Sequence, residues 1–350
     1  MTDDISNMRL LGMAAGLAVM LGTFVYFRGA RWHRGNFLLG ALLGLAFLIV
    51  SAAPDTVNGL RNLLDFEELA FGRIIAILVV SNVAALFLIF YVKVKLDIFK
   101  HKMDQFICAQ AADRLLPDHA ASLFKPVMIV IPALNEADSL ESLLPRLPRQ
   151  INGREVNVLV IDDGSSDGTS QVALRHGCIV ARNPINRGQG AASRVGYRIL
   201  AQQGVEIGVT MDGDNQHRPE DIGPMIEPIL ADKADLVIGS RILGSSDIDS
   251  RIRYVGVHFF SHLISLLTGQ TITDCSSGFK AFRISRMRLL LLKEDQYQSS
   301  EVIIEAAKRG LRILEVPIHI AVREFGASRK GKHLTYALFF LKTILKSWIR

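Results

Sequence analysis

Beginning at Pro126, this 350-residue chain alternates short apolar segments with helical ones, and two of the apolar segments run straight into acid-rich turns. Residues 127–131 are apolar and β-branched, bounded by Pro126 and Pro132, and residues 137–144 read as a helix. Residues 156–161 form a second strand candidate that ends in Asp162-Asp163-Gly164. A helix near 170–176, a strand at 178–181 and a helix at 191–202 follow. Residues 207–211 are another strand, ending in Asp212-Gly213-Asp214, before a helix at 220–230 and a strand at 236–239. Strands separated by helices predict an α/β fold with a mainly parallel sheet covered on both faces. Ligands of such sheets bind beyond the carboxyl ends of the strands, where both acidic clusters fall.

Asp212-Gly213-Asp214, with Gln216 two residues on, concentrates negative charge at a strand end. A hard divalent cation, Mg2+ or Mn2+, relieves such charge through oxygen ligands, and magnesium sites use one or two carboxylates plus substrate phosphates. The competing reading is a plain turn, where Asp and Gly are common. The run Asp162-Asp163-Gly164-Ser165-Ser166-Asp167-Gly168-Thr169 has its own plain reading, a turn with a helix cap. Two such clusters at strand ends of one sheet outweigh the turn reading. Gly188-Gln189-Gly190 lacks the full dinucleotide spacing, and no phosphate-loop or HExxH sequence is present.

Three uncharged, mostly apolar runs, at about 10–27, 37–53 and 74–92, precede this region. Their length suits a helix crossing the hydrocarbon core, and they have almost no polar face. Arg28, Arg31 and Arg34 lie between the first two runs, and Lys93, Lys95, Lys100 and Lys102 follow the third. Asp3, Asp4, Asp55, Asp65, Glu67 and Glu68 lie on the other side. The positive-inside rule then puts the N-terminus outside and everything after Val92 in the cytoplasm. Three cysteines without a CxxC pair agree with a reducing compartment. The expected organisation is a transmembrane module at 1–95, a cytoplasmic connector at 96–123, a catalytic domain at 124–332 and an interfacial amphipathic helix at 333–350.

Several ordered motifs resemble the family 2 glycosyltransferases: Ile131-Pro132-Ala133-Leu134-Asn135-Glu136, residues 162–169, Asn186-Arg187-Gly188-Gln189-Gly190-Ala191-Ala192, and residues 211–217. Gly239-Ser240-Arg241, Asp274-Cys275-Ser276-Ser277-Gly278-Phe279, Glu301, Glu315-Val316-Pro317 and residues 323–329 look like the polyprenyl-phosphate branch, which includes dolichyl-phosphate mannosyltransferase. The resemblance covers roughly residues 126–332 and implies an A-type, Rossmann-like glycosyltransferase fold. It implies a UDP- or GDP-sugar donor, a polyprenyl (dolichyl or undecaprenyl) phosphate acceptor, a membrane setting and no nucleic acid.

The implied donor site comprises Pro132, Leu134, Glu136, Ile161, Asp162, Asp163, Asp212, Gly213, Asp214 and Gln216. Either Asp162 or Asp163 would contact the base, and Asp214 and Gln216 would ligate the metal, with Asp212 as a further candidate. Arg241, Asp274 and Glu301 join Asp212 and Asp214 as catalytic candidates, and Arg323, Ser328, Arg329 and Lys330 as acceptor-phosphate candidates. Asp274 and Glu301 either orient the acceptor or satisfy loop backbone donors. The chain departs from the family at Leu134, where relatives often have Tyr, and at Ser328-Arg329, where Ser-Lys is usual and Lys330 comes next. A phosphate acceptor is already ionised near neutral pH and needs no strong base, so an inverting in-line displacement is expected. The rivals are a polymerising polysaccharide synthase, for which no QxxRW sequence is found, and a non-catalytic membrane scaffold. The apolar module also leaves room for an oligomer.

Net charge is +6, and its address is local: residues 323–350 hold seven basic groups and one acidic group. Residues 334–350 are largely apolar, with Lys342, Lys346 and Arg350 spaced by four, as in a helix lying in a lipid interface. Residues 254–267 are a second interfacial candidate, too short to span. Core packing is the alternative for each.

Overall fold

The computed structural model describes residues 7–29, 34–53, 55–63, 72–247, 251–325 and 333–349. Ser328, Arg329 and Lys330 lie outside the described residues, as do Asp65, Glu67 and Glu68. The chain divides into two compact units, Met1–Lys100 and His101–Arg350.

The first unit contains α1 (Asn7–Gly29), α2 (Arg34–Ala52), α3 (Thr56–Leu63) and the start of α4 (Gly72–Asp113). α1 and α2 meet along glycines: a Cβ on Gly16 would stand 2.9 Å from the Gly44 carbonyl oxygen, and a Cβ on Gly44 the same distance from the Gly16 oxygen. Without side chains between them the two backbones approach closely, as in membrane helix pairs. Leu11, Leu21 and Val25 of α1 and Leu42, Leu43 and Phe47 of α2 are exposed. Among the described residues no helix is long and apolar enough to cross a membrane, so the three expected spans are not confirmed. α4 does not end with the third apolar run. No Gly or Pro interrupts residues 73–116, so one helix continues to Asp113 through much of the expected connector. From His101 onward it belongs to the second unit, where Cys108 and Ala111 are buried.

The second unit continues with β1 (Val127–Ala133), α5 (Ala137–Leu143), β2 (Gln150–Ile151), β3 (Arg154–Asp162), α6 (Thr169–Arg175), β4 (Ile179–Arg182) and α7 (Gln189–Gln202). Then come β5 (Ile207–Thr210), α8 (Ile222–Leu230), β6 (Leu236–Ser246), α9 (Arg251–Thr268), β7 (Lys280–Arg283) and α10 (Ile284–Met287). The last elements are α11 (Gln298–Lys308), β8 (Ile313–Ile320) and α12 (His333–Ile349).

Among the described residues the strands form one eight-stranded sheet in the order β2-β3-β1-β5-β7-β6-β8, with β4 also on β3. The half made of β4, β3, β1 and β5 is parallel, as the alternation predicts. The expectation of a mainly parallel sheet needs correction in the other half. β7 runs antiparallel to both β5 and β6, and only β8 is again parallel to β6, so the sheet is mixed. β7 is four residues long with a charge at each end, too short for a readable pattern. β8 carries Pro317, which an edge strand tolerates and which hides it from pattern reading.

β1 shows how the sheet is buried. Val127, Ile129 and Ile131 face one core with Leu140 of α5 and Met225 of α8, while Met128 and Val130 face the other with Val195 of α7 and Ile303 of α11. This two-residue period across two apolar cores is what a doubly covered sheet requires. The carboxyl ends of β1, β3 and β5 consequently open side by side. α12 buries Phe340 and Ile344 in the second core and exposes Leu338, Phe339, Leu345 and Trp348. Core packing and an exposed apolar face therefore coexist on this helix. α9 is similar, with Ile264 buried and Tyr254, Val255 and Phe259 exposed, and the Trp348 indole donates to the Leu267 carbonyl at 3.2 Å.

Candidate active site

A cleft of about 890 Å3 opens at these strand ends. Its lining includes Pro132, Leu134, Glu136, Asp163, Asp212, Gly213, Asp214, Gln216 and Arg323, all singled out from the sequence. Ile161, Asp162, Arg241, Asp274 and Glu301 are not among the lining residues.

β5 hands its acids to the cleft through a fixed turn. The Met211 amide still donates to the Val130 carbonyl at 3.1 Å, so the sheet ends just before Asp212. Asn215 adopts a left-handed φ of 64°, which Asn tolerates better than most residues. Its side-chain amide donates to Glu324 Oε2 at 2.8 Å, and Gln216 Nε2 donates to the Ala321 carbonyl at 3.1 Å. The segment following β8 is thereby tied to the acidic turn.

Asp212 Oδ1 accepts from Gln189 Nε2 at 2.5 Å, and His217 Nε2 lies 3.7 Å from Oδ2. Burial, then the neighbouring Asp212 charge, pushes the Asp214 carboxyl above its ordinary value against the pull of His217, the Gln216 amide and Arg323. Arg323 binds Glu136 through one guanidinium nitrogen, and another lies 3.9 Å from Asp214 Oδ2. The arginine expected at an acceptor phosphate therefore sits beside the paired carboxylates. Lys280 is 3% exposed, lines the same cleft, and donates to the Ser277 carbonyl. Burial pushes its ammonium down to about 8, with Asp274 and Asp212 opposing.

The two acids of β3's end behave differently. Asp162 is fully buried and caps its own loop, accepting from the Ser165 amide at 2.7 Å and from the Ser170 hydroxyl. Asp163 reaches the cleft; its Oδ2 accepts from the Arg187 and Gly188 amides at 3.0 and 2.7 Å, and Oδ1 from Asn183 at 2.7 Å. Burial raises its carboxyl against those hydrogen bonds. Asp163 is thus the one of the pair that lines the cleft, and Ile161 is fully buried.

Arg241 and the fully buried Asp274 form an ion pair, Nε to Oδ2 at 2.6 Å, and Asp274 also accepts from the Ser276 amide at 3.2 Å. Glu315 in turn accepts from the Thr273 and Asp274 amides at 2.8 and 3.0 Å. Glu301 is fully buried and accepts from the Lys293 and Glu294 amides at 2.8 and 3.0 Å. Both acids accept from loop backbone amides. Gln189, Lys280 and Gln298 line the cleft without having been singled out as site residues. Lys280 follows a quoted motif by one residue, but no sequence signal shows that it is buried.

Two acidic side chains and one amide fit a hard cation. Among the described residues no group of three or more His, Cys, Asp and Glu side chains could hold a metal. The oxygen donors of Asp212, Asp214 and Gln216 suit magnesium or manganese completed by substrate phosphates.

The family model described as Glycosyl transferase family 2 matches residues 128–288. The chain is 31% identical over 245 residues to the UDP-N-acetylglucosamine–dolichyl-phosphate N-acetylglucosaminyltransferase of Methanococcus voltae, covering 62% of this chain and 96% of that protein. It is 32% identical over 216 residues to the undecaprenyl-phosphate mannosyltransferase of Micrococcus luteus, covering 58% of this chain and 86% of that one. Among solved structures, glucosyl-3-phosphoglycerate synthase from Mycobacterium tuberculosis, in complex with Mn2+, UDP-glucose and phosphoglyceric acid, superposes with a TM-score of 0.51. That pair shares 22% identity over 65% of this chain and 81% of the other, a likeness of fold.

Proposed function

Because the chain belongs to glycosyl transferase family 2 and has an A-type glycosyltransferase fold, we propose that it moves one hexose-type sugar from a UDP- or GDP-sugar to a polyprenyl phosphate. The observation that carries this reading is Asp212 and Asp214 together at the end of β5, on the cleft, with Arg323 beside them. Relatives named as transferring sugars to dolichyl and undecaprenyl phosphate support the acceptor class.

Asp214 and Gln216 would hold a divalent ion, Mg2+ or Mn2+, with Asp212 next to them. Such an ion, when bound, stabilises the negative charge of the leaving diphosphate. Arg323 adds a fixed cation at the same place, and its planar guanidinium suits phosphate oxygens. Pro132, Leu134 and Asp163 would receive the nucleotide at the β1 and β3 side of the cleft. The acceptor phosphate brings its own ionised oxygen, so the reaction needs positioning more than a proton acceptor. The commitment of Asp274 and Glu301 to backbone amides agrees with a displacement without a carboxylate base, inverting at the sugar carbon.

The membrane belongs to the same proposal. α1 and α2 expose large apolar side chains, and so do α9 and α12. Leaving such area in water costs about 25 cal/mol per Å2, so a lipid surface is the favourable neighbour. The proposed arrangement has the N-terminus outside, apolar helices in the bilayer and the catalytic unit at the cytoplasmic face, following the distribution of Arg and Lys between the apolar runs.

A donor screen tests the reading. Membranes containing the protein would receive labelled UDP- and GDP-sugars with polyprenyl phosphate and Mg2+. The expected product is a lipid that releases sugar in mild acid; its absence with every donor would refute the enzyme assignment.

A further inference from the structure

Asp104 lies on α4, before the residues matched by the family model, yet it touches the turn that holds Asp163. Its Oδ1 accepts from the Arg187 guanidinium and, at 3.0 Å, from Arg194 Nη2. Arg194 also reaches Asp295 Oδ1 and the Glu294 carbonyl, each at 2.5 Å. Two arginines and two aspartates balance one another, and the arginine side chains are only 10% and 9% exposed. Burial raises the Asp104 carboxyl, but the two guanidinium groups outweigh it and hold it below its ordinary value.

This cluster clamps two loops of the cleft. On one side, Arg187 and Gly188 donate their backbone amides to Asp163 Oδ2. On the other, the Gly190 amide donates to the Asp295 carbonyl at 2.8 Å, and a Cβ on Gly190 would stand 2.5 Å from the Glu294 carbonyl oxygen. The Asp295 loop therefore rests on the α7 entry. Gln296 and Tyr297, which directly follow, line the cleft.

We propose that Asp104 is a positioning residue for nucleoside diphosphate binding, acting through Arg187 on Asp163 and through Arg194 on the Asp295 loop. Without its charge the cluster keeps two buried guanidinium groups against one carboxylate. The Arg187 turn is then free to move, and with it the amides that aim Asp163. The inference deepens the proposed function and rests on Asp163 serving the donor.

The test is titration of the full-length protein in lipid nanodiscs with UDP and with GDP, each with Mg2+. Asp104→Asn should raise the Kd of the nucleotide that the unsubstituted protein binds by about tenfold. The donor KM should rise in step, with kcat and the polyprenyl phosphate KM nearly unchanged. Asp235→Asn is the control, since Asp235 anchors Arg312 in another ion cluster and does not line the cleft. It should lower Tm without moving Kd. An unchanged Kd in Asp104→Asn, or an equal rise in Asp235→Asn, overturns the inference. If Asp104→Asn does not fold, Asp104→Glu keeps the charge on a longer stem and should raise Kd by a smaller factor; an unchanged Kd there also overturns it. If neither nucleotide binds the unsubstituted protein, the donor reading itself fails, and this inference falls with it.

Discussion

A Cβ on Gly278 would stand 2.8 Å from both carboxylate oxygens of Asp212. That is inside van der Waals contact, and the carboxylate is also held by Gln189 at 2.5 Å. Any side chain at position 278 must displace Asp212 from the place where its charge meets the cleft. Gly278→Ala should therefore reduce kcat/KM for the donor on the order of a hundredfold, the loss expected for a displacement of about 1 Å. Thermal unfolding should shift by only a few degrees, because overpacking of this size costs about 1–3 kcal/mol. Steady-state kinetics beside differential scanning calorimetry would check both; full activity would contradict the tight fit.

Asp214 links function and stability with opposite signs. Burial and the Asp212 charge hold its carboxyl above the ordinary 3.8. With a folded value above the unfolded one, the cost of ionisation is absent below pH 3.8 and complete above the raised value. Asp214→Asn should then raise the Tm of the metal-free protein at neutral pH while abolishing metal-dependent transfer. The gain in Tm should close as pH falls towards 3.8. A Tm that drops at neutral pH, or transfer that persists, would contradict this.

Lys280 gives a second pH dependence at the alkaline end. Its folded value of about 8 lies below the ordinary 10.5, chiefly because of burial. The unfolded chain therefore binds more protons between those two values, and stability from this group rises with pH across that window. Lys280→Met should be more stable than the unsubstituted protein at pH 7. The difference in denaturation midpoint should shrink between about pH 8 and 10.5. A constant difference would show that Lys280 is not titrating there.

The exposed face of α12 can be separated from its buried one. Leu338 and Leu345 are exposed, whereas Phe340 and Ile344 belong to the core. Leu338→Asp with Leu345→Asp should leave Tm nearly unchanged. The KM for polyprenyl phosphate in a bilayer should rise about fivefold, from lost apolar burial in the interface. A short water-soluble prenyl phosphate should be unaffected. Equal effects on both acceptors would contradict an interfacial role for this face.

Much of the site could be read from the chain because β1, β3 and β5 are apolar runs with sharp ends. Pro126 opens the first, and acid-rich turns close the other two, so their carboxyl ends and Asp212–Asp214 were legible. In the other half β6 is anticipated at 236–239, but β7 and β8 are not. β7 has four residues, β8 contains Pro317, and their pairing depends on contacts across long stretches of chain. Asp162 and Asp163 are adjacent yet have different tasks, one closing its own loop and one facing the cleft, and only the path of the backbone decides which. Gly278 and Asp104 matter through neighbours that are 66 and 83 residues away in the chain, so no local pattern marks them.

The most direct measurement pairs two acceptors that differ by one group. Purified full-length protein in nanodiscs would receive the labelled nucleotide sugar that it uses, Mg2+, and either polyprenyl phosphate or the same polyprenol without its phosphate. The expected result is a mild-acid-labile sugar lipid of inverted anomeric configuration from the phosphate alone. Equal product from the free alcohol, or sugar released only into water, would contradict transfer to a lipid phosphate.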